Sequence, residues 1–408
     1  MPCRAGGRLP HTSANPPVLM SGCASLVTNN TSIGDLPYVG VSAGDQTQKG
    51  EATGTGTSRH CGWLRVTLGV YTCPGAWGAV ARSIRTAGSL RRSRFNVGST
   101  TQGRQAMRMA MVGLGRMGAN MARRLCRSGI EVVGYNRSAD IVQTLAEEGL
   151  IPARSLSDAV EQLTAPRIVW LMLPAGAVTE QHVETLAELL APGDVVVDGG
   201  NANYHDSQRR GALLAKRDIQ FVDAGVSGGI WGLEEGYCVM AGGDKPALEL
   251  LEPALKALAP APDRGWAHVG PIGAGHFTKM VHNGIEYGMM QALAEGLALL
   301  RGKSEFDLDL AQITELWRHG SVVRSWLLDL TADALRDDQE LTDVAPVVAD
   351  SGEGRWTAVE AIDQGVATPV MTLALAMRFA SQDSEGYANR LLATMRNAFG
   401  GHAIVKPD

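Results

Sequence analysis

Apolar and polar positions divide the chain into stretches of different character. From residue 1 to 106 no apolar period persists long enough to predict a helix or a strand. Between residues 107 and 271, short apolar runs alternate with amphipathic stretches. Each run predicts a strand, and the runs are MRMAMVGL, EVVGYN, RIVWLMLP, DVVVDGG, IQFVDAG and GYCVMAGG. This alternation is typical of a mainly parallel sheet covered by helices.

Strand-like runs stop at about residue 272. The spacing of apolar residues beyond that point predicts helices over 275–301, 307–319, 353–365, 368–382 and 387–397. The predicted fold class is therefore α/β, with an all-helical C-terminal domain over 272–408 after an α/β domain over 107–271. The first long helix is expected to join the two.

The first 106 residues also differ in composition and charge. They are rich in Gly, Ser, Thr and Arg and carry eleven basic residues against three acidic ones, so the remainder of the chain is acidic. We expect this stretch to be disordered or weakly structured and dispensable for activity. A gene model extended upstream of a true start at Met107 or Met109 is the favoured explanation, and an organelle transit segment is the alternative.

Charge and cysteine content exclude several classes of function. An acidic body argues against a nucleic-acid partner, and no apolar run approaches the roughly 20 residues of a membrane span. Cys126 and Cys238 are well separated in the body, which indicates buried thiols in a reducing compartment and neither a disulfide framework nor a metal site. We therefore expect a cytoplasmic protein with no membrane partner.

A GxGxxG motif follows the first strand. The motif alone is a weak signal, but here it closes an apolar strand and opens an amphipathic helix, as dinucleotide binding requires. The first glycine permits a tight turn, the second admits a pyrophosphate at the helix N-terminus, and the third lets helix and strand pack closely. The 107–271 domain is thus predicted to be of Rossmann type. The predicted cofactor contacts in the loop are Gly113, Leu114, Gly115, Arg116, Met117 and Gly118.

The second strand ends in GYNRS. NAD-binding domains commonly have an acid here for the ribose diol, but this chain has Asn136 followed by Arg137 and Ser138. Without a carboxylate nothing repels a 2′-phosphate, and a guanidinium can bind one. This pattern favours NADP over NAD as cofactor. The alternative is that Arg137 is an ordinary exposed loop arginine.

The stretch GHFTKMVHNGIEYG places polar residues on one side of the joining helix. Lys279, Asn283 and Glu286 are spaced i, i+4 and i+7, so they line one stripe, with His282 and Tyr287 at its margins. The apolar residues Met280, Ile285, Met289 and Met290 are expected to pack away from it. A solvated face is the alternative reading, but the glycine-rich start of the helix and a helical asparagine favour a functional one.

Two strand ends carry further polar groups. VVVDGGNANYHDS offers Asn201 after Asp198, for the cofactor or the substrate, and DAGVSGGIWG offers Ser227, Gly228 and Gly229 as donors for a carboxylate or a hydroxyl. Either could be an ordinary turn. Together with the helical stripe they predict a reaction site beside a nicotinamide.

The order of these motifs resembles decarboxylating 6-phosphogluconate dehydrogenase in its short-chain form. The resemblance covers nearly all of 107–408 and rests on GLGRMGAN, DGGNANYHDS, GVSGGIWGLEEGY, GHFTKMVHNGIEYG, DSGEGRWT and MRNAFGGH. It implies oxidation of 6-phosphogluconate to a 3-keto acid, loss of carbon dioxide and release of ribulose 5-phosphate, a step of the pentose phosphate pathway. It also implies that Lys279 is the base and Glu286 the proton donor. Substrate contacts carried over by motif are Asn201, Ser227, Gly228, Gly229, His282, Asn283, Tyr287, Arg378, Arg396 and His402.

The resemblance extends to the phosphate end of the substrate and to assembly. Tyr287, Arg378 and Arg396 would bind the phosphate, with His402 completing that end, although both arginines could instead be helix-surface charges. Longer relatives have a lysine where this chain has Ser351, so one phosphate contact is missing or replaced. The resemblance implies a homodimer or homotetramer with shared sites. MRNAFGGH, expected to be a glycine-rich tail after the final helix, would then enter the partner's site.

Two rival functions remain open from the sequence. A 3-hydroxyisobutyrate-type β-hydroxyacid dehydrogenase would share the glycine loop, the Ser-Gly-Gly turn and the lysine, but it needs neither the phosphate cluster nor Glu286. A non-catalytic NADP-binding regulator is the second rival, and the presence of both Lys279 and Glu286 counts against it.

Overall fold

The computed structural model describes residues 107–406, so the predictions for residues 1–106 lie outside the described residues. Within 107–406, eight strands form one sheet in the order β3-β2-β1-β4-β5-β6-β7-β8. The strands are β1 (Arg108–Val112), β2 (Glu131–Tyr135), β3 (Ile151–Pro152), β4 (Ile168–Leu171), β5 (Val195–Asp198), β6 (Gln220–Ser227), β7 (Cys238–Gly243) and β8 (Trp266–Gly270). The strands from β3 to β6 are parallel, β7 is antiparallel to β6, and β8 is parallel to β7. Because the parallel part has the Rossmann order 3-2-1-4-5-6, the predicted fold class is confirmed.

Helices cover the sheet and then continue alone to the end of the described chain. They are α1 (Arg116–Arg127), α2 (Ala139–Glu147), α3 (Leu156–Glu161), α4 (Ala177–Leu189), α5 (Tyr204–Ala215), α6 (Gly232–Glu235), α7 (Lys245–Leu258), α8 (Ala274–Gly302), α9 (Leu310–Trp317), α10 (Trp326–Asp337), α11 (Glu353–Gln364), α12 (Pro369–Gln382) and α13 (Tyr387–Gly400). Short 3₁₀ turns occur at Gly229–Trp231 and Ser304–Phe306. None of the helices in residues 107–406 is long and apolar enough to cross a membrane.

The sheet is buried on both faces, which explains its continuous apolar runs. Along β1, Met109 and Met111 belong to one core, and Ala110 and Val112 belong to the other. This alternation is the period of two that every strand imposes on its side chains. The first core includes residues of α1 and α7, and the second includes residues of α3 and α4.

Three elements were not predicted from the sequence. β3 has only two residues, and β8 is mostly exposed at the sheet edge, so neither contains an apolar run. α10 lies in a stretch for which no helix was predicted, and the helix predicted over 307–319 is the shorter α9. The hydroxyl of Ser325 caps α10 by accepting from the Leu328 amide at 3.1 Å.

The start of α8 is held tightly against the sheet. The buried carboxylate of Asp223 on β6 accepts from the amides of Gly273, at 2.6 Å, and His276, at 2.7 Å. These are N-terminal amides of α8, which would otherwise be unsatisfied. A Cβ on Gly225 would collide with the Cβ of Lys279, so a glycine is required where β6 meets the helix. Asp223 and Gly225 therefore determine where Lys279 lies.

The described helical part has only small cores. Tyr287 of α8 packs with Ala374 and Leu375 of α12, and α11 also packs on α8. No residue of α13 is buried within the described chain. Its exposed apolar side chains are Leu391, Leu392, Met395 and Phe399.

Candidate active site

The glycine loop lies between β1 and α1 and has the geometry of a phosphate-binding turn. Gly113 has a φ of +91° and abuts the Met172 carbonyl, and a Cβ on Gly118 would collide with the Gly113 carbonyl. A Cβ on Gly115 would meet nothing within 4 Å, and no side chain caps α1 there. The N-terminal amides of α1 thus face open space at Gly115 and Arg116, while Met117 packs partly on the core.

The residues after β2 take different positions. The amide group of Asn136 accepts from the Leu114 amide at 3.0 Å and donates to the Ser138 carbonyl at 3.3 Å, so Asn136 orders the loop. Arg137 is exposed and has no hydrogen-bond or ion-pair partner among residues 107–406. Its guanidinium is therefore available to an anionic ligand.

Lys279 is the central polar group of the second half of the site. Its residue is 7 % exposed, and its ammonium nitrogen lies 3.4 Å from His282 Nδ1. His282 also approaches the Asn283 amide oxygen at 3.1 Å and the Ser227 hydroxyl at 3.5 Å. Burial lowers the pKa of Lys279, and the negative charges of Glu286 and Glu353 oppose that shift. Four predicted residues, from β6 and α8, are thus brought together.

A cleft of about 720 Å³ opens beside these groups. Ser227, Gly228, Gly229, His282 and Glu286 line it, and the Glu286 side chain is 39 % exposed, 3.8 Å from His282 Nδ1. The loop at its edge contacts the nucleotide-binding part, because Asn120 of α1 donates to the Ile230 carbonyl at 3.3 Å.

The expectation that Ile285 and Met289 pack away from the stripe is wrong. Both are exposed and line the cleft, whereas Met280 is buried and Met290 packs partly on the small core. The side of α8 that faces the cleft is therefore wider than the polar stripe. Trp231 and Trp326 complete the apolar wall of the cleft. Neither tryptophan was singled out from the sequence.

Tyr287 marks the other end of the stripe. The guanidinium carbon of Arg378 lies 3.6 Å from the centre of the Tyr287 ring, which brings two predicted phosphate ligands together. The Tyr287 hydroxyl is 3.2 Å from the Ser351 hydroxyl. Arg355 forms an ion pair with Asp350 at 2.6 Å, and although burial opposes it, the Gly352 amide and Arg355 lower the pKa of Asp350.

Three predicted residues do not join this cluster within one chain. Asn201 follows β5 and is exposed, with no hydrogen bond to any residue in the described range. Arg396 and His402 are exposed at the C-terminal end. Arg396 lies within α13, so the expectation that MRNAFGGH is a tail beyond the final helix is wrong for all but its last residues.

Other sequence expectations also change. Asp198, which ends β5 ahead of Asn201, is buried and forms an ion pair with Arg210 at 2.9 Å. The two cysteines are free but not buried, since Cys126 is half-buried and Cys238 is exposed. Asp223 and Glu353 were not predicted as site residues, although both stand inside quoted motifs. At Asp223, the signal that could have indicated a special role was a carboxylate in an otherwise apolar strand.

Comparisons with known proteins agree with these motifs. The profile of the NAD binding domain of 6-phosphogluconate dehydrogenase matches residues 108–270, and that of the 6-phosphogluconate dehydrogenase C-terminal domain matches residues 275–404. The NAD(+)-dependent, decarboxylating 6-phosphogluconate dehydrogenase of Haloferax volcanii is 40 % identical over 303 residues, which cover 74 % of this chain and 100 % of the relative.

A second relative uses the other cofactor. The NADP(+)-dependent, decarboxylating enzyme of Bacillus subtilis is 36 % identical over 290 residues, covering 68 % of this chain and 62 % of its own. Among solved structures, 6-phosphogluconate dehydrogenase of Plasmodium falciparum, described with NADP+ and with 6-phosphogluconate, matches with a TM-score of 0.63 and 28 % identity. That match covers 74 % of this chain and 66 % of the other.

Proposed function

The chain belongs to the 6-phosphogluconate dehydrogenase family, and from that premise we propose that it converts 6-phosphogluconate to ribulose 5-phosphate and carbon dioxide with reduction of NAD(P). The observation that carries the proposal is the buried Lys279 beside His282 and Ser227 at the end of β6. Lys279 forms no ion pair with any carboxylate in residues 107–406. A buried lysine of this kind can serve as a base near neutral pH.

The loop geometry fits a dinucleotide cofactor. The uncapped N-terminus of α1 and the open space at Gly115 suit a pyrophosphate, which Arg116 and its neighbours would hold through backbone amides, while the Leu114 amide supports the loop through its bond to Asn136. When bound, the nicotinamide supplies the hydride acceptor. The availability of Arg137 supports NADP over NAD, while family members use either.

Lys279 and the groups around it would carry the proton transfers. The amine takes the proton of the 3-hydroxyl as C3 is oxidised, and Ser227, His282 and Asn283 orient the substrate. The resulting ammonium donates to the C3 carbonyl oxygen and stabilises the negative charge that develops there when carbon dioxide leaves. The C1–C2 electron pair passes into an enediol. Glu286 then protonates the carbon that lost carbon dioxide.

The two domains would have different roles. Residues 107–271 would hold the cofactor, and residues 272–408 would supply substrate contacts and the dimer interface. Tyr287 and Arg378 would bind the phosphate from the same subunit. Arg396 and His402 would come from the partner, because within one chain they are exposed and apart from the cleft. The free cysteines support a cytoplasmic enzyme of the pentose phosphate pathway.

A substrate comparison tests the function. The protein is supplied with 6-phosphogluconate or 3-hydroxyisobutyrate, each with NAD or NADP, and reduced cofactor and released carbon dioxide are measured together. Equal amounts of both products from 6-phosphogluconate alone are expected. Reduced cofactor from 3-hydroxyisobutyrate without carbon dioxide would identify the simpler β-hydroxyacid enzyme, and cofactor binding without turnover would identify a regulator.

A further inference from the structure

Glu353 is a buried carboxylate next to the reactive face of α8. It begins α11, where the Thr357 hydroxyl donates to the Met280 carbonyl at 2.9 Å and Gly354 abuts the Tyr287 ring. These contacts hold the first turn of α11 against the part of α8 between Met280 and Tyr287. Glu353 is consequently only 2 % exposed.

The carboxylate of Glu353 is fixed but has no cation in contact. The Ser351 hydroxyl donates to it at 2.6 Å, and no lysine or arginine of residues 107–406 forms an ion pair with it. The neighbouring Asp350, by contrast, is paired with Arg355. Burying a charge without a contacting cation is costly, and an opposite charge in the same buried region reduces that cost.

Lys279 can provide that opposite charge, because it is also buried, directly precedes the Met280 carbonyl that Thr357 of α11 contacts, and has no ion-pair partner among these residues. Burial lowers the pKa of Lys279, and attraction to the carboxylates of Glu286 and Glu353 opposes the change. Asp223 is occupied by amides of α8. The ionisable groups around this region are His282 and Glu286 on α8, Cys238 on β7, Asp223 on β6, Asp350, Glu353 and Arg355 around the start of α11, and Arg378 on α12.

We propose that Glu353 is a positioning residue whose fixed carboxylate stabilises the ammonium form of Lys279 across the site without contacting it. This role rests on the proposed function, in which Lys279 must be neutral to accept the 3-hydroxyl proton and charged while carbon dioxide leaves. Burial favours the neutral amine of Lys279, and the negative charge of Glu353 favours its ammonium form. Because the interior has a low dielectric constant, a fixed charge acts there beyond contact distance.

A purely structural role makes a different prediction. A glutamate in the first turn of a helix is favourable to the helix dipole, so its removal could lower stability alone. The two roles separate in the pH profile. Activity falls at acidic pH as Lys279 becomes protonated, and loss of a nearby negative charge lowers the pKa of Lys279. In a variant without the Glu353 charge, activity should therefore fall at a lower pH than in the wild type.

The test compares Glu353→Gln with Glu360→Gln, which removes the same charge two turns along α11, where Glu360 bonds the Tyr204 hydroxyl. The quantity measured is kcat/KM for 6-phosphogluconate against pH. The substrate titrates identically in all variants, so differences belong to the protein. Relative to its own plateau, Glu353→Gln should be roughly threefold more active than the wild type on the acid limb. Glu360→Gln should follow the wild type.

A second readout needs no turnover. The rate at which an acylating reagent modifies Lys279, followed by mass spectrometry across pH, reports the neutral amine directly. Modification should extend to lower pH in Glu353→Gln and return toward the wild-type range in Glu353→Asp, because aspartate restores the negative charge. An unchanged labelling profile with a lowered Tm would overturn the proposal. If the wild type shows no turnover but the labelling profile of Glu353→Gln is shifted, the proposed reaction is wrong and the role of Glu353 is retained.

Discussion

At the scale of single residues, the spacing of Lys279, Asn283 and Glu286 was readable because helical geometry is local. The degree of burial was not readable. Lys279 and Asn283 are buried while Glu286 is partly exposed, and α11 and α12, which cover α8, lie more than 60 residues further along the chain. Burial decides the pKa of Lys279, so the property that makes it a base arises only from tertiary packing.

Replacing Lys279 tests its role as the base. Lys279→Met keeps most of the aliphatic volume and removes the amine, so turnover of 6-phosphogluconate should fall by about 10²–10⁴. Cofactor affinity, measured by fluorescence titration, should stay nearly constant because the glycine loop is separate from α8. Lys256→Met, at an exposed lysine of α7, is the matched control and should retain full activity. Near-normal turnover of Lys279→Met would rule out the proton-transfer scheme.

The predicted preference for NADP depends on Arg137. Arg137→Ala should weaken NADP binding by about 1.5–3 kcal/mol, the usual scale for a hydrogen bond to a charged group, and should barely affect NAD. Dissociation constants for both cofactors measure this directly. Arg154→Ala removes another exposed arginine of the same domain and should change neither constant. If the unaltered protein binds NAD as tightly as NADP, the interpretation of GYNRS is wrong.

At the scale of elements, strands were predictable where both faces are buried. β4 and β5 are buried along their whole length, and their apolar runs indicated this directly. β8 is exposed at the sheet edge and lacked the signal. The way α8 is held on the sheet was also hidden, because Asp223 bonds amides that lie 50 and 53 positions later.

Asp223 should therefore stabilise both the fold and the site. In Asp223→Asn one amide of α8 would face an NH₂ group in place of an oxygen, which should cost about 1–3 kcal/mol of unfolding free energy. Urea unfolding measures that loss, and kcat should fall with it because the same amides position the turn that carries Lys279. Asp263→Asn, at an exposed aspartate, is the control. Unchanged stability in Asp223→Asn would show that these two bonds contribute little.

At the scale of the whole molecule, the C-terminal helix α13 is distinctive because residues 107–406 do not cover it. No residue of α13 is buried among the described residues, yet the helix carries Leu391, Leu392, Met395 and Phe399. An exposed apolar helix face of this kind marks an interaction surface. The same helix carries Arg396, a predicted phosphate ligand that lies away from the cleft of its own chain. A second copy of the chain that packs on α13 would bury its apolar face and would receive Arg396 in its own site.

Mixed oligomers test whether each site borrows Arg396. Lys279→Met and Arg396→Ala proteins should each be nearly inactive alone. Unfolded together and refolded, they should regain activity, because one site of a mixed dimer combines an intact Lys279 with an intact Arg396 from the other subunit. With random pairing about half of the dimers are mixed, which restores about a quarter of the sites. Native mass spectrometry confirms mixing, and Lys256→Met refolded with Lys279→Met, in which about half of the sites should be active, controls for the yield of refolding. Mixed dimers without recovered activity would show that α13 serves its own subunit.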